Sequence, residues 1–114
     1  MEIAGVNVTK GLSMYGGRAK IYTELLKEFC TEGESKHDAI NTCFLNKDIP
    51  LYTTYVHGLR GSADAICAEE LSKAAKLMED AGNREDWDYI SEFNDELLQN
   101  YEKTIENVAK GLSG

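Results

Sequence analysis

Apolar residues recur at intervals of three and four along almost the whole chain, and no stretch alternates apolar and polar residues for long enough to make a strand. A chain with one apolar stripe per segment buries those stripes by packing helix on helix. A short segment around Thr9 to Tyr15 ends at Gly16-Gly17. Tyr22, Leu25, Leu26, Phe29, Gly33, His37, Ile40 and Phe44 then mark one long amphipathic helix, with a bend expected near Gly33. Asp48-Ile49-Pro50 reads as an N-cap followed by a proline in the first turn, where its missing N–H does no harm. The helix it opens carries Tyr52, Val56, Leu59, Ala63 and Ile66 on one stripe. A further helix runs from about Ala68 on Leu71, Ala74, Ala75 and Met78 and stops at Gly82-Asn83. The last begins near Glu85 and continues to about Lys110 on Trp87, Ile90, Phe93, Leu97, Tyr101, Ile105 and Val108. These spacings predict an all-α fold: an antiparallel up-down four-helix bundle with a short extra N-terminal helix covering one end.

The 114 residues, 42% of them hydrophobic, leave room for one domain, residues 1–114 with a core from about 8 to 110, which needs neither metal nor disulfide to fold. Cys30, Cys43 and Cys67 are odd in number and lack a framework spacing, so reduced thiols acting as small apolar residues are expected. No run approaches the roughly 18 apolar residues of a membrane span, and the first residues lack the layout of a secretory signal, which predicts a cytoplasmic chain. The net charge of −8 arises entirely beyond residue 47: residues 1–47 carry six acids and six bases, residues 48–114 fourteen acids and six bases. Such a chain is repelled by phosphate backbones and anionic head groups, which argues against nucleic acid and membrane insertion and leaves a protein partner or a small ligand.

Ten glycines stand against one proline. Gly5, Gly11, Gly16, Gly17, Gly82, Gly111 and Gly114 fall where turns and helix ends are expected. Gly33, Gly58 and Gly61 lie inside helical stretches, where each costs about 1 kcal/mol relative to alanine. At 100° per residue, His57 lies roughly 140° from the mean direction of the stripe on its helix and therefore points to solvent. Thr54, Gly58, Gly61 and Asp64 share that outer side, and Arg60 sits at its flank. Two glycines thus clear side chains from around one exposed imidazole and let another molecule approach the helix backbone. A neutral imidazole is a nucleophile suited to phosphorus, and Arg60 supplies a fixed cation for an anion carried on it. On geometry alone, the same residues also fit an ordinary surface histidine among neutral glycines.

The stretch from Val56 through His57-Gly58-Leu59-Arg60-Gly61-Ser62-Ala63 to Ile66-Cys67-Ala68 and Leu71 resembles the signature of the histidine-containing phosphotransfer (HPt) domain, roughly H-x-L-K-G-S-A-x-x-(I/L)-G-A-x-x-L. Gly11-Leu12, Gly16-Gly17, Tyr22-x-x-Leu25-Leu26-x-x-Phe29 and the acidic, Trp87-bearing start of the last helix extend the resemblance from about residue 8 to 108. It implies a four-helix bundle in which His57 accepts a phosphoryl group from the aspartate of one response-regulator receiver domain and passes it to that of another. It implies a monomeric carrier with no kinase activity and no cofactor of its own, since receivers supply Mg²⁺, and a hybrid sensor histidine kinase is a possible partner. His57 becomes the phosphorylation site, Arg60 the group that stabilises phosphate charge, and Thr54, Gly58, Gly61 and Asp64 the receiver docking face. Two positions depart from the pattern: Arg60 replaces the usual lysine, keeping the charge in a planar fork, and Cys67 replaces a glycine near the helix end.

Other readings were weighed. Cys30, His37 and Cys43 lie about 9 to 10 Å apart along one helix, too far to converge on a zinc ion, so no metal site is expected and His37 reads as a partly buried structural residue. The eight acids between Glu85 and Glu106 lack the Glu-x-x-His pairs of a di-metal bundle and read as a solvated face. Ser62 and Asp64 form no triad with His57. A docking module without phosphotransfer, or a kinase-substrate domain of the chemotaxis type, remains as the alternative to the phosphoryl carrier.

Overall fold

The computed structural model describes residues 1–113; Gly114, expected to punctuate the end, lies outside the described residues. Five helices follow one another: α1 (Val8–Met14), α2 (Ala19–Leu45), α3 (Ile49–Ile66), α4 (Glu69–Asn83) and α5 (Trp87–Ser113). α2 packs on α3, α3 on α4, α4 on α5 and α5 back on α2, which closes an antiparallel four-helix bundle with α1 against one end of α2 and α3. At 1.5 Å per residue, the 27 residues of α2 or α5 span about 40 Å, which accounts for the 41 Å length of the molecule.

The helix boundaries follow from local chemistry. Asn7 and Asp48 accept the backbone N–H of Lys10 (3.1 Å) and Leu51 (3.2 Å), capping α1 and α3, and Asp86 accepts that of Tyr89 (3.1 Å) at the start of α5. α3 ends at Cys67, whose backbone lies in the left-handed region (φ 61°, ψ 39°) with its N–H on Ala63 and Asp64. A glycine would adopt this conformation without the cost that a Cβ imposes, on the order of 1 kcal/mol, so the departure at Cys67 leaves the turn intact at some expense in strain. The carbonyls left over at that end are claimed by two tyrosines: Tyr15 Oη donates to Ala65 O (2.6 Å) and Tyr22 Oη to Ile66 O (2.7 Å). Burial raises the Tyr22 hydroxyl to about 12, so it stays protonated as that donor throughout the neutral range.

The predicted stripe of α3 is the core: Tyr52, Val56, Leu59, Ala63 and Ile66 are all buried, against Leu26, Leu71, Ala75, Ile90 and Tyr101 from the other helices. Tyr52 Oη donates to Asn94 Oδ1 (2.8 Å) in the middle of the bundle, across from α3 to α5.

The glycines divide differently from expectation. Gly5, Gly16 and Gly17 occupy turns at positive φ, but Gly11, Gly82 and Gly111 lie inside helices and are sites of close packing. A Cβ on Gly82 would overlap Thr53 Oγ1 and stand 3.0 Å from Thr53 Cβ; Thr53 cannot withdraw, because its hydroxyl donates to Ile49 O (2.7 Å). Gly33 is likewise buried in a continuous α2, where a Cβ would come within 2.5 Å of Ile105 Cδ1 on α5. Close contact with α5 accounts for a glycine at that point. Around Gly58 and Gly61 there is only open space.

That contrast is measurable. Gly82→Ala is expected to destabilise the fold by about 1–3 kcal/mol through overpacking. Gly58→Ala and Gly61→Ala are each expected to stabilise it by about 0.5–1 kcal/mol through helix propensity alone. Urea denaturation of the three variants checks both signs. Burial also raises the thiols of Cys43 and Cys67 above their usual range, so less thiolate is present at a given pH. In the native protein at pH 8, iodoacetamide should therefore modify these two slowly, and all three cysteines rapidly once urea is added.

Candidate functional site

His57 is the ninth of the eighteen residues of α3, at the middle of a rigid and well-anchored helix. Its side chain is 61% exposed, on the face opposite the buried stripe, as the helical geometry requires. It is not unencumbered, however. Its Nδ1 lies 2.6 Å from Oε2 of Glu79, which reaches over from α4 with its carboxylate only 14% exposed. A carboxylate accepts, so in the neutral ring Nδ1 carries the proton and the lone pair is left on Nε2.

The same carboxylate draws in Arg60. Arg60 Nε stands 3.4 Å from Glu79 Oε1, an ion pair without hydrogen-bond geometry, and that oxygen is buried with no hydrogen-bond donor. Histidine, glutamate and arginine thus form one array on the α4 side of α3. Glu79 is the functional residue that the sequence reading missed. A signal for it exists: it lies four residues after Ala75 and three before Gly82, both buried, where the stripe of α4 calls for an apolar side chain. An acid at such a position must find a partner, and the partner comes from a different helix.

The expected docking residues are separated by the structure. Gly58 and Gly61 open onto the α2 side of α3, where they line a groove with Leu25, Phe29 and Ser62. Asp64 lies on the α4 side and accepts a hydrogen bond from Ser72 on that helix. Thr54 is exposed, and its hydroxyl turns back to Pro50 O (3.1 Å) within its own helix.

His37 is partly buried, with Nε2 3.3 Å from Glu102 and Nδ1 3.2 Å from Asp38, and its ring packs near Tyr101. Among the described residues, no three histidine, cysteine, aspartate or glutamate side chains are arranged to hold a metal ion. No described helix is long and apolar enough to cross a membrane.

Among curated proteins no sequence matches significantly. The crystal structure of the HPT domain from the Hpt sensor hybrid histidine kinase from Shewanella superposes with a TM-score of 0.86 over 96% of this chain and 94% of that one, at 20% sequence identity. The fold is therefore shared across sequences that differ at four positions in five. The family model of the Hpt domain matches residues 24–109, which takes in all of α3 and α4 and most of α2 and α5. The chain accordingly belongs to the Hpt domain family, whose members serve as phosphotransfer intermediates in phosphorelays.

Proposed function

We propose that His57 carries the phosphoryl group, and that it does so on Nε2. The observation that carries this reading is the pairing of Nδ1 with Glu79 on a 61% exposed side chain, beside the open space at Gly58 and Gly61, which leaves Nε2 as the nitrogen available to a nucleophilic attack. In the forward step the Nε2 lone pair attacks the phosphorus of a receiver aspartyl phosphate. The N–P bond forms as the P–O bond to the aspartate breaks, and the carboxylate leaves with the electron pair. Positive charge develops on the ring, where the Nδ1 proton stays hydrogen-bonded to the Glu79 carboxylate, which opposes that charge in the transition state. Transfer to a second receiver reverses the same exchange with another aspartate as nucleophile.

Arg60 stands one turn from the imidazole and is held only loosely, so its guanidinium can turn from Glu79 to the phosphoryl oxygens. Gly58 and Gly61 give the receiver access to the helix backbone, while Thr54 and Asp64 border the contact. The chain acts as a carrier without kinase activity. It needs no cofactor of its own, since the receiver holds the Mg²⁺ that polarises the transferring phosphoryl group. Receiver domains are the partners, the working form is a monomer, and the setting is the cytoplasm.

Incubation with a phosphorylated receiver should place an acid-labile, base-stable phosphate on the wild type and none on His57→Gln, with stability unchanged to within about 0.5 kcal/mol because the side chain is exposed. Label persisting in the variant would refute the assignment. Glu79→Ala should slow transfer by up to about 100-fold through loss of ring orientation. Glu79→Gln, whose amide oxygen still accepts from Nδ1, should recover part of the rate; wild-type rates in both variants would remove Glu79 from the mechanism. Gly61→Leu should fold normally and transfer at least about tenfold more slowly, since the added side chain occupies the cleared surface.

A further inference from the structure

On the α2 side of His57 a groove of about 370 Å³ runs between α2 and α3, with Leu25, Phe29, Ala65 and Ile66 contributing its apolar surface. Three charged residues, Glu28, Glu32 and Lys36, stand along its α2 edge. Lys36 Nζ lies 2.8 Å from Glu32 Oε2, so those two charges neutralise one another. Glu28 is exposed and, among the described residues, has no basic group within ion-pair distance. On the other flank of α3 stands Arg60. His57 therefore lies between the Arg60–Glu79 ion pair on the α4 side and, on the α2 side, an edge whose one unpaired carboxylate is Glu28.

We propose that Glu28 is a specificity-determining residue of the docking surface, and that the groove takes a receiver face whose apolar ridge is bordered, on the side toward α2, by a basic side chain. The inference rests on the proposed phosphoryl exchange with receivers and adds which receivers are accepted and which way round they dock. A shallow apolar groove admits many apolar ridges and discriminates poorly among them; a rim charge discriminates through encounter rate and through the penalty on a like charge. The polarity across α3 also sets orientation. The carboxylates of a receiver's phosphorylation pocket are repelled by Glu28, so a basic side chain on the flank of the receiver that faces α2 completes the match.

The experiment uses the full chain and a panel of receiver domains charged with acetyl phosphate, with phosphoramidate as a small donor that needs no docking. Every receiver that transfers to His57 should do so about tenfold more slowly to Glu28→Lys at 50 mM salt, less so to Glu28→Gln, with the difference shrinking toward none at 500 mM. Glu92→Lys, the same charge change on α5, which lies diagonally across the bundle from α3, should leave the rate unchanged. Phosphoramidate labelling of His57 should be equal in all four proteins. A productive receiver whose transfer is unaffected or accelerated by Glu28→Lys at low salt overturns the proposal, as does an equal loss in Glu92→Lys, which would reduce the effect to net charge. Absence of labelling of His57 by phosphoramidate and by every receiver overturns instead the functional reading on which the proposal rests.

Discussion

The buried stripe of α3 is the constraint on which the site depends. A helix has one face to give to a core, and on α3 that face is occupied from Tyr52 to Ile66 without a break. Its rotation is locked at both ends: Tyr52 is hydrogen-bonded to Asn94 inside the bundle, and the last carbonyls are held by Tyr15 and Tyr22. With the helix unable to turn about its axis, His57 is held outward and cannot retreat into the core. Exposure of the imidazole is thus a consequence of packing on the opposite side. The backbone under the imidazole is thereby fixed by the bundle before any partner arrives.

Around that mounting the two flanks of α3 do different work. The α4 flank is polar and partly buried: Glu79, 14% exposed, orients the imidazole and restrains Arg60. The α2 flank is bare, since Gly58 and Gly61 place nothing between the helix backbone and solvent. Each glycine gives up about 1 kcal/mol of helix stability. Gly33 and Gly82 give up the same propensity and gain close contact between helices in return. At Gly58 and Gly61 no contact within the molecule offsets the cost.

Most of the architecture was legible in the sequence because helical periodicity is a local signal. Every predicted stripe residue of α3 is buried, Asp48 caps the helix it was expected to open, and α4 ends at Asn83. The glycines were harder. Gly82 and a punctuating glycine look identical in one dimension; what distinguishes them is Thr53, some thirty residues away in the sequence and in contact only after folding. The same holds at Gly33, with Ile105 as the neighbour that only folding brings near.

The candidate site divides along the same line. Periodicity alone turned His57 outward and brought Gly58, Gly61 and Arg60 near it, because residues on one helix have fixed mutual angles. No such rule relates α3 to α4 or α2. The pairing of His57 with Glu79, the restraint on Arg60, the turning of Asp64 toward Ser72 and the groove that joins Glu28 to the two glycines all require the crossing of separate helices. The sequence by itself determined which residue is presented. Which ring nitrogen is free, and what lies on either side of it, was decided only by the tertiary structure, since those contacts join side chains that only the packing of the bundle brings together.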